Sequence, residues 1–212
     1  MSNTIQQYLS KIAFAFTVSL ATVALAYTLG YYGYLPVPKP TTEERIADYY
    51  KTENAVLVSP HSVRKDIMKG TSKILLVDLR SAEEYEMSHV VGAINIPAYK
   101  NPDQSAYDEV DRIVGAFKVL SKDKEIVVYC YSIPCMTGRK VGKMLADKGI
   151  YVKHLGIGWN EWRYDWKSWN HELEWDKTKP EDYVVSGKEP GKYTGPENNI
   201  ITPCSADGLT GC

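Results

Sequence analysis

The 212-residue chain is long enough for one ordinary domain with additions, and a hydrophobic content of 44% permits a sizeable core. Residues 1–40 hold Lys11, Lys39 and no acid, so the remainder carries 23 basic against 26 acidic side chains and lacks the basic face that nucleic-acid binding needs. The four cysteines, Cys130, Cys135, Cys204 and Cys212, are too few for a disulfide scaffold; they fit a site pair and a second pair able to close a small loop in an oxidising compartment.

Residues 12–38 contain no charged side chain. As a helix, the 24 residues 12–35 rise about 36 Å, against a hydrocarbon core of about 30 Å. Tyr27, Tyr31, Tyr32 and Tyr34 gather at the far end, where an aromatic belt meets the membrane interface. Two readings stand: a retained single-span anchor, and a signal peptide cleaved near Ala24-Leu25-Ala26. The length of the apolar run and its tyrosine-rich end favour the anchor. Either way the domain is expected outside the cytoplasm, on the periplasmic or extracellular side, or secreted after cleavage. The expected partition is an apolar segment over 1–35, a stiff proline-rich linker over 36–51, a domain over 52–170 and an extended tail over 171–212.

Thr42 followed by residues 43–50 reads as a short helix. Beyond it strands and helices alternate. Residues 55–58 read as a strand, and Ser59-Pro60 opens a helix reaching Lys69 and stopped by Gly70. Residues 73–79 are the clearest buried strand; Ser81 caps a helix over 82–87, with Glu84 at the capping-box position. A strand over 92–97, a turn over 101–104 and a helix over 107–120 follow, the helix presenting Val110, Ile113, Val114 and Phe117 on one face. Residues 126–129 form a strand, Pro134 opens the next helix, and a last strand over 152–155 precedes a last helix over 159–169. Trp159, Trp162, Trp166 and Trp169 share one face of that helix and read as a stripe packed on the sheet. The alternation predicts an α/β fold with a five-stranded parallel sheet flanked by helices, preceded by one apolar helix, and ligands at the carboxyl ends of the strands.

Cys130 stands at one of those ends. A cysteine between a strand end and a helix start meets unpaired backbone N–H groups and the positive end of the helix dipole, which favour the nucleophilic thiolate. Tyr131, Ser132, Ile133, Cys135, Met136, Thr137 and Gly138 form the loop able to supply those amides, and Arg139 adds positive charge or a ligand for an anion. Cys135 has three readings: a resolving thiol that attacks a sulfur carried on Cys130, the nucleophile itself, or a packing residue. His61, His89, His154 and His171 offer the cysteines no convincing metal partnership, so neither metal nor cofactor is expected.

Asp78-Leu79-Arg80, Glu84-Tyr85, His89, Gly92-Ala93 and Ile96-Pro97 resemble the signature of the rhodanese family of sulfurtransferases. Val127-Val128-Tyr129-Cys130 is similar to its strand ending in the catalytic cysteine, and Leu155, Gly158 and Trp162 fall where its terminal pattern has Leu, the second Gly and Trp. The likeness covers residues 52–170 in three ordered blocks. It implies a single rhodanese-like domain in which Cys130 accepts a sulfane sulfur as a persulfide and passes it to a thiophilic acceptor. It also implies a mainly structural network around Asp78, Arg80 and Glu84, with His89 as a hydrogen-bonded framework residue. The chain departs from the family in its loop, which resembles a bacterial subgroup with a C-x4-C pattern, in Ser88 before His89, and in Ile157 for the first terminal glycine.

The expected partners are a small sulfane-sulfur donor, a thiol acceptor and a membrane reached through residues 12–35, with room for a protein partner. The uncharged loop points to a polysulfide or organic persulfide rather than thiosulfate. Two other readings are a non-catalytic binding module of the same fold and a thiol–disulfide exchange protein using Cys130 and Cys135.

Overall fold

The computed structural model describes residues 2–33, 39–70, 73–99 and 105–196. The chain divides into two units, Met1–Tyr49 and Tyr50–Cys212. The first contains helix α1 (Ser2–Tyr31) and the start of α2 (Thr42–Val56). Within Ile5–Tyr31, an 18-residue stretch of α1 has a mean hydropathy of 1.9 and buries nothing. Its Ser10, Thr17, Thr22 and Thr28 hydroxyls donate to carbonyls one turn earlier, which satisfies them without solvent. This is one helix long and apolar enough to cross a membrane. Thr41 caps α2: its hydroxyl accepts from the Glu44 amide while the Glu44 carboxylate accepts from the Thr41 amide.

In the second unit β1 (Leu57–Val58), β2 (Ile74–Asp78), β4 (Ile94–Asn95), β5 (Glu125–Tyr129) and β6 (Lys153–Leu155) form a five-stranded sheet in the order β1-β6-β5-β2-β4, every pairing parallel. β3 (His89–Val90) pairs antiparallel with β7 (Val184–Val185) in a separate ribbon. The pleat sends Leu76, Val127 and Tyr129 into one core cluster and Val77 and Val128 into the other, so both faces of the central strands are buried. The first cluster takes Val63 from α3 (Pro60–Lys69), Tyr85 from α4 (Ala82–Met87), and Trp159, Trp162 and Trp166 from α7 (Trp159–Arg163) and α8 (Trp166–Trp169). The second takes Ile113, Val114 and Phe117 from α5 (Val110–Lys118) and Val141, Met144 and Leu145 from α6 (Thr137–Ala146).

α3 begins on Pro60 and ends on Gly70, whose φ of 63° is the left-handed stop its sequence predicts. The Ser81–Glu84 capping box starts α4 as expected. Elsewhere the chain differs from its reading. α2 continues to Val56 and leaves β1 only two residues. The 107–120 helix opens as a 3₁₀ turn over Ala106–Glu109. α6 starts at Thr137 rather than Pro134, because the Cys135 amide donates to the Ser132 carbonyl and closes a turn first. The helix expected over 159–169 is two, divided at Tyr164 and Asp165.

The largest difference lies after residue 170. Residues 170–196 pack against the domain rather than trailing as an extended tail. Glu174 pairs with Arg64 at 2.8 Å, both side chains nearly inaccessible, and Arg64 also donates to Asn170. Tyr183 stacks on Trp166 with ring centroids 5.3 Å apart. Beyond the β3–β7 ribbon, the Gly92 amide donates to the Pro190 carbonyl. The predicted turn over 101–104, Tyr34, Cys204 and Cys212 lie outside the described residues.

Candidate active site

β2 and β5 are in register with Asp78 opposite Tyr129, so both side chains leave the sheet together at its carboxyl end. The Arg80 guanidinium donates to the Asp78 carboxylate, at 2.6 Å for its shortest contact, and to the Ser88 carbonyl, and lies 4.2 Å from the Trp159 ring centroid. The Tyr129 hydroxyl donates to Asp78 at 2.6 Å; burial, then the Asp78 charge, push its phenol pKa up and keep it a donor. His89 is fully buried, stacks on Tyr85 and faces the carbonyls of Tyr85 and Glu189 with its two ring nitrogens. These groups are a closed polar base under the strand ends. Glu84 is not among them: its carboxylate accepts from the Ser81 and Tyr131 hydroxyls and so ties α4 to the loop after Cys130.

That loop is clamped from the other side by α7. The Trp159 and Asn160 amides donate to the Cys130 and Tyr131 carbonyls at 2.8 and 2.7 Å. The Glu161 carboxylate accepts from the Ile133 and Gly158 amides. Arg139, in the first turn of α6, donates from one guanidinium nitrogen to the Ile133 and Cys135 carbonyls and so staples the loop. Ile133 and Met136 are exposed, Ser132 and Tyr131 partly so.

Cys130 is 1% exposed and Cys135 half-buried, with their sulfurs 2.7 Å apart; both thiols are free. The Tyr131 backbone amide and the Thr137 hydroxyl favour the charged form of the pair. The sequence reading places the thiolate on Cys130. The contact with Cys135, then burial, push the Cys130 thiol up, while the contact with Cys130 brings Cys135 down to about 5.

Two participants escaped the sequence reading. Glu161 stands three residues after Gly158, a capping-box spacing that signals it. His154 is buried on β6; its Nδ1 lies 2.6 Å from the Leu155 carbonyl, and its unpartnered Nε2 sits where a Cβ on Gly138 would meet it at 2.2 Å. Among the described residues no three His, Cys, Asp or Glu side chains gather as a metal site.

Residues 59–165, half of the chain, match the profile of the Rhodanese-like domain. An HTH-type transcriptional regulator of Mycobacterium tuberculosis is 32% identical over 125 residues, 57% of this chain and 50% of its own length. The thiosulfate:glutathione sulfurtransferase of Saccharomyces cerevisiae is 33% identical over 103 residues, 47% of this chain and 72% of its own length. The chain therefore spans only half of the mycobacterial relative. The solved structure of the BH2092 protein from Bacillus halodurans is 29% identical, covers 58% of this chain and 82% of its own, and superposes with a TM-score of 0.47.

Proposed function

The chain belongs to the rhodanese-like domain family, and from that premise we propose that it is a sulfurtransferase carrying sulfane sulfur on Cys130. The observation that carries this reading is the sulfur pair at the end of the central strand. Cys130 Sγ bonds to the outer sulfur of a donor R–S–SH, the bond from that sulfur to R–S breaks, and R–S⁻ leaves. An acceptor thiolate then takes the same sulfur and releases Cys130. The name of the yeast relative supports a thiol of the glutathione type as acceptor.

The donor is a polysulfide or organic persulfide. Tyr131, Ile133 and Met136 give the mouth an aromatic and apolar rim, and the Glu84 and Glu161 carboxylates accept from the Tyr131 hydroxyl and the Ile133 amide beside it. Such a mouth offers a dianion little. The test is turnover of the purified protein on glutathione persulfide and on thiosulfate, beside Cys130→Ser. Preference for the persulfide, lost in the variant, is expected; preference for thiosulfate contradicts the donor assignment, and activity without Cys130 contradicts the reading itself.

A second reading is favoured by the same contact: Cys135 lies close enough to attack the inner sulfur of a Cys130 persulfide, closing a disulfide and expelling HS⁻. Release of hydrosulfide in the absence of acceptor, abolished in Cys135→Ser, marks that branch.

α1 holds the domain at a membrane surface, on the non-cytoplasmic side. Its exposed apolar surface and internally bonded hydroxyls support a retained span. Alkaline extraction of membranes and the mass of the mature amino terminus test this: retention with residues 1–26 present is expected, and a soluble protein lacking them contradicts it.

A further inference from the structure

We propose that Cys135 is the base that takes the Cys130 proton as Cys130 attacks the sulfur donor. The proposal rests on the reading of Cys130 as the sulfur carrier. A cysteine 1% exposed to solvent cannot readily lose its proton to water, and the group in contact with its sulfur is Cys135 Sγ, 2.7 Å away. The other candidate bases at the strand ends are occupied. Asp78 is held by Arg80 and Tyr129, His89 faces two carbonyls, and Glu84 accepts from Ser81 and Tyr131. His154 has a buried lone pair, but it faces Gly138.

The step balances. Before it stand Cys130–SH, the Cys135 thiolate and R–S–SH; after it stand Cys130–S–SH, Cys135–SH and R–S⁻. One S–S bond forms and one breaks, R–S⁻ leaves with the electron pair, the proton crosses between the cysteines, and no external oxidant or reductant is needed. When an acceptor thiolate removes the sulfur, Cys130 leaves as a thiolate and recovers the proton from Cys135. The partly exposed cysteine is therefore charged between turnovers and neutral while the persulfide exists.

The groups facing the pair set its pH range. Arg139 from α6 and His154 from β6 lie near Cys135; Tyr99, after β4, approaches both sulfurs; Tyr131, anchored to Glu84 of α4, brings its backbone amide. Thr137 adds its hydroxyl to both sulfurs and its amide to Cys135. With Cys135 held at about 5, the base is in place across the neutral range.

The test is the pH dependence of persulfide loading from glutathione persulfide in the full chain, with Cys135→Ser and Cys135→Asp. The serine variant should load about 10²-fold more slowly at neutral pH, consistent with loss of a general base, and recover as pH rises. The aspartate variant should restore neutral loading, which a resolving thiol or a packing residue would not. Should either variant fail to fold, thiolate absorbance of the wild type and Cys130→Ser carries the test. One thiolate titrating near pH 5 in the wild type and moving up in Cys130→Ser supports the assignment. No thiolate at neutral pH overturns it. Unchanged rate and pH profile in Cys135→Ser also overturn it, leaving the Cys130 carrier intact. Absence of loading in the wild type at every pH overturns the carrier reading as well.

Discussion

Gly158 lies against Ser132 so closely that a Cβ on it would stand 2.3 Å from the Ser132 amide nitrogen and 2.4 Å from its Cα. Both neighbours are backbone, so the clash cannot be relieved by a rotamer change. Gly158→Ala should therefore displace the loop that carries Cys135, costing about 1–3 kcal/mol of stability by overpacking. Sulfur transfer should fall by a larger factor than stability alone explains. Urea denaturation read beside turnover checks both; a variant with wild-type turnover contradicts the clamp.

The Arg64–Glu174 pair fixes the segment after residue 170 to α3. Glu174→Ala leaves a buried guanidinium without its counter-charge and should cost about 3–5 kcal/mol in urea denaturation. The double replacement Arg64→Met with Glu174→Leu removes both charges and should be considerably less harmful, which separates an uncompensated charge from lost packing.

The same region should loosen in acid. His61 stacks on His171 with centroids 4.7 Å apart, and burial, then Arg64, then His171 lower its pKa. Lowering means that the unfolded chain binds the proton more readily than the fold. The contribution is complete above the ordinary imidazole value of about 6.5 and is lost as pH falls below it. One such group gives a slope of at most about 1.4 kcal/mol per pH unit. Urea midpoints measured between neutral and mildly acidic pH should fall in the wild type and fall less in His61→Asn.

Arg139 should act through the loop. Because its guanidinium donates to the Ile133 and Cys135 carbonyls, Arg139→Ala should lower kcat several-fold through misplacement of Cys135, with KM for the persulfide little changed. A large rise in KM with kcat preserved would make Arg139 a substrate ligand instead.

Much of the fold is legible in the residues. Ser59-Pro60 with Gly70, and Ser81 with Glu84, mark α3 and α4 because capping is local chemistry. The position of Cys130 at the end of β5 is legible from the β-branched run before it. The β3–β7 ribbon is not, because two-residue strands carry no period. The docking of residues 170–196 hides behind prolines and glycines, since it depends on Tyr183 and Glu174 finding Trp166 and Arg64 far along the chain. The contact between the two thiols is equally hidden: one sulfur touches another across a turn, whereas local sequence shows only the spacing.

The most direct test of sulfur carriage is peptide-level mass spectrometry of the full chain after brief exposure to glutathione persulfide, with thiols blocked at once. The account predicts one added sulfur atom on the peptide segment containing Cys130, none on Cys135 alone, and no addition in Cys130→Ser. An added sulfur located on Cys135, or persisting in Cys130→Ser, would contradict it.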